Sequence, residues 1–471
     1  MVDNKPDTSM TRLPIFVILG STGTGKSRLG IELAKRFAGE IISADSMQVY
    51  KELDIITAKV TKEEKLAVPH HMLDLIDPLV NYCVTDYQRA ALPIINDVIT
   101  RRKLPIIVGG TNYYIESLLW QVLLADPELI EGKVNTEDNK KNDVTTCDTD
   151  GDNDKKNDVS TCDTDGDNDN DLTSSKKMKF DDSIESNLAL HQKLSKIDPE
   201  MARRLHPNNR RKIIRSIEVF ENHGITHSEI LKKQRTEGGC GLGGPLRFQN
   251  SIIVWLRCDQ EILDDRLDRR VDSMIETGLI NELLNFHECY AREWTKINLS
   301  PDYTKGIFQS IGFKEFHNYL ILPDDEKKSE KGQALFDQGV KDLKLVTKRY
   351  ARRQQRWIMN RFVKRTDRQV PPIYELNCTN LDNWNTDVLK PAVDIINSIL
   401  NNEKIDRKTM QDNCKEEKKT DSSNETTYWC ETCDKILVGN AQWKAHKDGT
   451  RHKKMSISKK RLQLAAMDDQ Q

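Results

Sequence analysis

Apolar residues open the ordered part of the chain as a continuous run, "LPIFVIL" over 13–19, too short and too unbroken for an exposed helix, and it reads as a buried strand. "GSTGTGKS", Gly20 to Ser27, follows directly. "RLGIELAKRF" comes next with apolar residues at helical spacing, so strand, loop and helix stand in sequence. The order then repeats. "EIISADS" reads as a strand ending in polar residues, and "YQRAALPIINDVITRRKLPIIVGGT" as helix, short turn at Pro105, buried strand and glycine turn. Such alternation predicts an α/β fold, a P-loop-containing doubly wound parallel sheet with helices on both faces.

Beyond Trp120 the pattern breaks. "KKNDVTTCDTDGDND", 140–154, is copied almost letter for letter as "KKNDVSTCDTDGDND", 155–169. So polar a stretch cannot bury enough surface to offset its ordering entropy, which predicts a disordered acidic repeat over about 131–187. Its "DTDGDND" words look like calcium loops. With glycine in the sixth position, however, Asn157 or Leu172 falls where an EF-hand needs its bidentate acid, so no calcium site is expected. Helical spacing resumes near Leu188, and "GGCGLGGP" leads into "SIIVWLRC", a late strand of the same sheet. These boundaries give a catalytic core in two parts, 12–120 and 246–400, with a mainly helical insertion at 121–245. Two long helices are expected in the second part, over 259–287 and 338–362. A linker at 401–426, a small cysteine/histidine module at 427–456 and a tail at 457–471 complete the chain.

Composition narrows the class. Of 471 residues 37% are hydrophobic, and no run approaches the ~20 apolar residues of a membrane span. The ten cysteines lack the density of a secreted disulfide scaffold, which favours a reducing compartment. The N-terminus lacks the plan of a secretory signal and carries Asp3 and Asp7, so a cytoplasmic location is expected, with mitochondrion and nucleus left open. Net charge is -2, yet residues 131–186 alone carry -9, so the remainder is +7 and suited to a polyanionic partner.

Gly20, Ser21, Thr22, Gly23, Thr24, Gly25, Lys26 and Ser27 fit G-x-x-x-x-G-K-[ST] in full, between a strand and a helix as that motif requires. Glycines let loop amides turn towards an anion at a helix N-terminus, Lys26 adds a point charge, and the Ser27 hydroxyl suits Mg²⁺. The motif leaves the reaction open, since kinases, ATPases and other transferases share it. Asp45 in "SADSMQVY" stands at the carboxyl end of the second strand, where it is a metal ligand, a base or a helix cap. Thr111, after Gly109 and Gly110, ends a third strand and faces the same cleft if that strand lies beside the phosphate loop. His70 and His71 are adjacent, unlike alternating metal ligands on a strand, and read as structural or substrate contacts. Cys430-x2-Cys433-x12-His446-x5-His452 has tetrahedral zinc spacing, with Trp443 between the ligand pairs.

Taken together, "GSTGTGKS", "ISADSMQVYKELDIITAK", "PHHMLDLIDP", "LPIIVGGTNYY", "LHPNNRRKIIRSIEVF", "SIGFKEF" and "TKRYARRQQRW" resemble the tRNA dimethylallyltransferases, and the zinc-finger-like tail of matrin type resembles their eukaryotic branch. The resemblance covers about residues 12–400 and is interrupted by the acidic repeat. It implies transfer of the dimethylallyl group from dimethylallyl diphosphate to N6 of adenosine 37, beside the anticodon of tRNA, by a monomer. It also implies roles. Asp45 matches the general base, Thr111 a threonine near the reacting carbon, and Arg270 a diphosphate-binding arginine. Thr22, Lys26 and Ser27 match the loop's diphosphate contacts, and Ser27 also the Mg²⁺ ligand. Asp45, Ser46, Met47 and Gln48 match a segment touching the target base, and Arg211, Lys212, Ile213, Ile214 and Arg215 a tRNA-contacting segment. Lys344, Lys348, Arg349, Arg352, Arg353 and Arg356, interleaved with Tyr350 and Trp357, suit phosphate contacts on one side and core packing on the other. Two rivals remain at this level: a P-loop kinase, and an RNA-binding module whose enzyme core has decayed.

Overall fold

The computed structural model describes residues 13–121, 186–236, 244–296, 303, 306–364, 368–413, 427–433, 435–438, 440–450 and 452–459. The duplicated acidic repeat lies outside the described residues. The chain divides into two compact units, one holding 1–125 and 238–417 with a short stretch between, the other centred on 151–237 and 418–471.

In the first unit six strands, β1 (Ile15–Gly20), β2 (Glu40–Ser43), β3 (His70–His71), β4 (Pro105–Val108), β5 (Ser251–Arg257) and β6 (Ile373–Asn377), form one sheet in the order β3-β2-β4-β1-β5-β6. Every pairing is parallel, and Val17 of β1 lies level with Ile107 of β4 and Ile253 of β5. Parallel strands covered on both faces carry no polar side. Accordingly Ile15, Val17 and Leu19 enter one core while Phe16 and Ile18 enter the other, which explains the unbroken apolar run. Each such side chain contributes about 1.5–3 kcal/mol by leaving water. Pro105 is not a turn residue as expected but opens β4, the position in a strand where its missing N–H costs least.

Helices α1 (Lys26–Phe37), α2 (Lys62–Ala67), α3 (Val84–Thr100) and α4 (Asn112–Leu119) accompany the first four strands. Between α4 and β5 the second unit contributes α5 (Asn187–Ile197), α6 (Pro199–Arg204), α7 (Arg210–His223) and α8 (His227–Thr236). After β5 come α9 (Gln260–Glu276), α10 (Leu279–Lys296), α11 (Phe313–Leu320), α12 (Asp324–Lys327), α13 (Glu330–Trp357) and α14 (Lys390–Leu400). Residues from α1 and α14 fill one core, and residues from α3, α4, α9, α10, α11 and α13 fill the other.

The helix expected over 259–287 is two helices. Gly278 adopts φ 105°, a left-handed value that breaks the ladder between α9 and α10. The last long helix begins earlier than expected, at Glu330, where the Ser329 hydroxyl accepts from the Gly332 amide, and ends in wider π-helical turns over Ile358–Val363. Within 401–413 a short helix, Met410–Asn413, holds Gln411 against the sheet edge, where it accepts from the Ile373 amide and donates to the Pro371 carbonyl.

The helical part of the second unit has its own core of Leu190, Leu194, Met201, Ala202, Ile213 and Ile217. Asp198 caps two helices at once, accepting from the Met201 amide at 2.9 Å and the Ser228 amide at 2.8 Å. In the cysteine/histidine module β7 (Thr427–Cys430) and β8 (Lys435–Val438) form an antiparallel hairpin followed by the helix Asn440–Asp448. Among the described residues no helix is long and apolar enough to cross a membrane.

Candidate active site

Strand order reverses on either side of β1, so the crevice beyond the carboxyl ends of β1, β4 and β2 is the switch point where open α/β sheets bind ligands. The phosphate loop turns there into α1. Its shape is held by its own groups: the Thr24 hydroxyl donates to the Ser21 carbonyl at 2.8 Å, and Lys26 Nζ donates to the same oxygen at 2.8 Å. Enclosure by the loop brings the Lys26 ammonium down to about 8, with Arg270 adding to the fall and Asp45 opposing it. The Ser27 side chain is exposed and without a hydrogen-bond partner among the described residues, a hard oxygen donor that fits Mg²⁺.

The turns after β2 and β4 are fastened to each other. A Cβ on Gly109 would lie 2.0 Å from the Ala44 carbonyl oxygen, so only glycine permits this approach. Two residues further the Thr111 amide donates to the Ala44 carbonyl at 3.0 Å, and its hydroxyl accepts from the Ser46 amide at 2.9 Å. Asp45 is held inside this turn with Oδ1 accepting from the Met47 amide at 3.0 Å. Loss of hydration pushes its carboxyl above the usual carboxylate range, although the Met47 amide and Lys26 pull the other way. Arg270, on α9, is enclosed enough for its guanidinium to be lowered from its ordinary value, with Asp45 as its counter-charge. No hydrogen bond holds it among the described residues. Lys26, Asp45 and Arg270 therefore sense one another in a single recess, and together with Thr111 they border one cleft.

Other expected contacts are placed differently. Gln48 spends its amide internally, accepting from the Ser43 hydroxyl at 3.0 Å and donating to the Thr57 and Ala58 carbonyls at 3.2 Å. Met47 packs against the core. On α7, Ile213 is fully enclosed and Ile214 packs partly on the helical core, whereas Arg211 and Lys212 are exposed and Arg215 is half-buried, 3.8 Å from Glu218. On α13, three of the expected phosphate-contacting cations face α9 instead. Lys344 pairs with Asp272 at 2.6 Å, Lys348 with Asp268 at 2.8 Å, and Arg352 with Asp264. The reason is geometric: residues four apart share a helix face, and the two rows run past each other as rungs. Arg349 and Arg353 remain exposed. The two histidines of β3 each have a partner within the fold: His71 Nε2 lies 2.7 Å from Glu40, and His70 Nδ1 lies 2.9 Å from the Val68 carbonyl.

One residue of the cleft escaped sequence reasoning. Gln354 of α13 accepts from the Thr22 amide and donates to the Gly110 carbonyl, partners 332 and 244 positions away, and no local spacing signals such a bridge. In the module, Cys430, Cys433, His446 and His452 bring their ligand atoms within 4.8 Å of one another, and Tyr428 stacks on Trp443 beside them. Two thiolates and two imidazoles at this separation fit a tetrahedral zinc ion.

Fold and loop together are those of the P-loop class of α/β proteins. Residues 48–361 match the IPP transferase family and residues 428–452 match the zinc-finger of C2H2 type. The tRNA dimethylallyltransferase of Homo sapiens is 43% identical over 459 residues, covering 97% of this chain and 88% of that protein. That of Schizosaccharomyces pombe is 34% identical over 385 residues, covering 80% and 76%. A solved structure of a eukaryotic dimethylallyltransferase acting on tRNA is similar with a TM-score of 0.70 and 28% identity, covering 97% of this chain and 99% of that one. The chain belongs to the tRNA dimethylallyltransferase family.

Proposed function

We propose that this protein transfers the dimethylallyl group of dimethylallyl diphosphate to N6 of adenosine 37 in tRNA. The observation that carries the proposal is the recess in which the phosphate loop, Arg270 and Asp45 meet. One bond forms, from N6 to the first carbon of the allyl group, and one breaks, from that carbon to the diphosphate oxygen. An exocyclic amine on an aromatic ring is a weak nucleophile, so its proton must leave as the new bond forms, and Asp45 is the group to accept it. The departing diphosphate gains charge, which Lys26, Arg270 and the amides of Gly20, Ser21, Gly23, Thr24 and Gly25 stabilise. Ser27 would hold Mg²⁺, which would offset further negative charge on that leaving group. The Thr111 hydroxyl accepts from the Ser46 amide and so helps hold the turn that carries Asp45, and the reading gives Thr111 a place near the reacting carbon. Adenosine 37 must leave its stack to reach the recess, at a cost that contacts along the anticodon stem-loop offset. Arg211 and Lys212, with Arg349 and Arg353, are the exposed cations suited to that backbone.

We assign a structural zinc ion to Cys430, Cys433, His446 and His452, supported by the separation of their ligand atoms. The enzyme acts as a monomer in this reading, with a catalytic core of 12–120 and 246–400 interrupted along the chain by the helical insertion. A single assay tests the central proposal: incubation with dimethylallyl diphosphate or ATP plus tRNA, followed by mass analysis of the nucleosides. Prenylated adenosine from the first donor alone is the expected result. ATP consumption without prenylated adenosine would instead favour a kinase.

A further inference from the structure

Gln354 is only 4% exposed, yet both ends of its side-chain amide are engaged. Its Oε1 accepts from the Thr22 amide of the phosphate loop at 2.8 Å. Its Nε2 donates to the Gly110 carbonyl at 2.8 Å, immediately before Thr111. The backbone carbonyl of the same residue accepts from Asn112 Nδ2 at 3.3 Å, one residue beyond Thr111. Gly110 leaves room for the contact, since a Cβ there would lie 2.7 Å from Gln354 Nε2 and 3.4 Å from Asp45 Oδ2. One amide thus spans from the loop that holds the leaving group to the turn that fixes Thr111, Ser46 and Asp45. The Thr22 amide is committed to Gln354 and so is not one of the loop's anion donors.

We infer that Gln354 is a positioning residue that sets the separation between the diphosphate cradle and the Asp45–Thr111 turn, and registers both against α13. Every partner in this bridge is a directional group, so a side chain of the same size but without both a donor and an acceptor fails to hold it. The inference rests on the prenyl-transfer reading, because the two things it holds apart are the leaving group and the base of that reaction. A displacement of the order of 1 Å between reacting groups costs about a hundredfold in rate.

The test compares Gln354→Leu and Gln354→Glu with the wild-type chain, using tRNA and dimethylallyl diphosphate. Gln354→Leu is expected to lower kcat by about tenfold to a hundredfold, with the tRNA Kd within about threefold of wild type. Gln354→Glu distinguishes a bridge from a filler. Its ionised carboxylate still accepts from the Thr22 amide but faces the Gly110 carbonyl without a donor, whereas its protonated form does both. The ratio of its kcat to that of wild type therefore rises as pH falls from about 9 to about 6. A flat ratio, or a Leu variant within about twofold of wild type, overturns the inference. Hydrogen exchange of the peptide spanning Gly20–Ser27 adds a readout free of chemistry: faster exchange in Gln354→Leu supports the bridge and unchanged exchange overturns it. Wild-type protein making no prenylated adenosine would sink the donor assignment instead, while the exchange result would still decide whether Gln354 holds the loop.

Discussion

Two recessed carboxylates sit at opposite ends of β2 and have opposite fates. At the start of the strand, Glu40 meets Arg101 through both guanidinium nitrogens, His71 at 2.7 Å and Lys103 at 3.0 Å. The Arg101 hydrogen bonds above all hold its carboxyl well below the usual range. At the other end, Asp45 is met by turn amides, with Met47 on its Oδ1, and by the charges of Lys26 and Arg270 without an ion-pair contact among the described residues, and lost hydration pushes its carboxyl up. Burial alone does not make an acid reactive. What separates the pair is whether cationic partners hold the buried carboxylate ionised, as around Glu40, or lost hydration dominates and raises its proton affinity, as at Asp45. Position follows from topology too, since only the carboxyl ends of parallel strands open on the ligand crevice.

Exchanging each carboxylate for its amide breaks the comparison most sharply. Asp45→Asn is expected to reduce kcat by about 10²–10⁴ while tRNA binding and the melting temperature are kept, because the amide cannot take the proton but fills the same space. Glu40→Gln should do the reverse: kcat within about twofold, and stability lower by about 1–3 kcal/mol because Arg101 and Lys103 lose their counter-charge and one of the two acceptor oxygens is replaced by a donor. Single-turnover prenylation and thermal melts on both variants check this, and a catalytic collapse in Glu40→Gln would undo the division of roles.

Acid separates the same two groups without mutation. Asp45 with a raised pKa is ionised in the folded protein only above that value, so turnover falls as pH drops through it. Glu40 with a depressed pKa lends stability that is present above its unfolded value and is lost only as pH falls through the lower folded one. As pH falls through the raised Asp45 value, activity should therefore decline while the Glu40 contribution, lost only below the ordinary carboxylate range, stays constant. A melting temperature that falls in step with kcat over this window would show that unfolding, not protonation of the base, sets the profile.

The contrast also shows which parts of the molecule were legible in the sequence. The phosphate loop, the zinc-ligand spacing and the continuous apolar strands were readable because each is written in a few consecutive residues. Asp45 was readable as a candidate, but its role came from family resemblance, since a cap, a ligand and a base share one letter. The Glu40 knot draws on residues 31 and 61 positions away, and Gln354 on partners further still, so nothing local announces them. The α9 to α13 rungs did leave a trace. Asp264, Asp268 and Asp272 repeat at the same four-residue interval as Lys344, Lys348 and Arg352, and that matched spacing of opposite charge is the trace of their pairing. Gly278 likewise stood in the sequence where the single expected helix divides.

The smallest expected effect probes how much of the Glu40 arrangement is cooperative. Lys103→Met removes one partner that is 40% exposed while Arg101 and His71 remain. A half-solvated ammonium loses little hydration by pairing and is screened by salt, so the change should cost only about 0.5 kcal/mol, shrinking towards zero in concentrated salt. Turnover should not change, because the knot lies at the amino end of β2, away from the cleft. Melts of Lys103→Met, Glu40→Gln and the double variant form a cycle that measures the pair directly. A coupling near zero leaves Arg101 and His71 as the partners that hold Glu40 ionised, whereas a coupling of the size of the whole Glu40→Gln loss would mean that all three partners act as one unit.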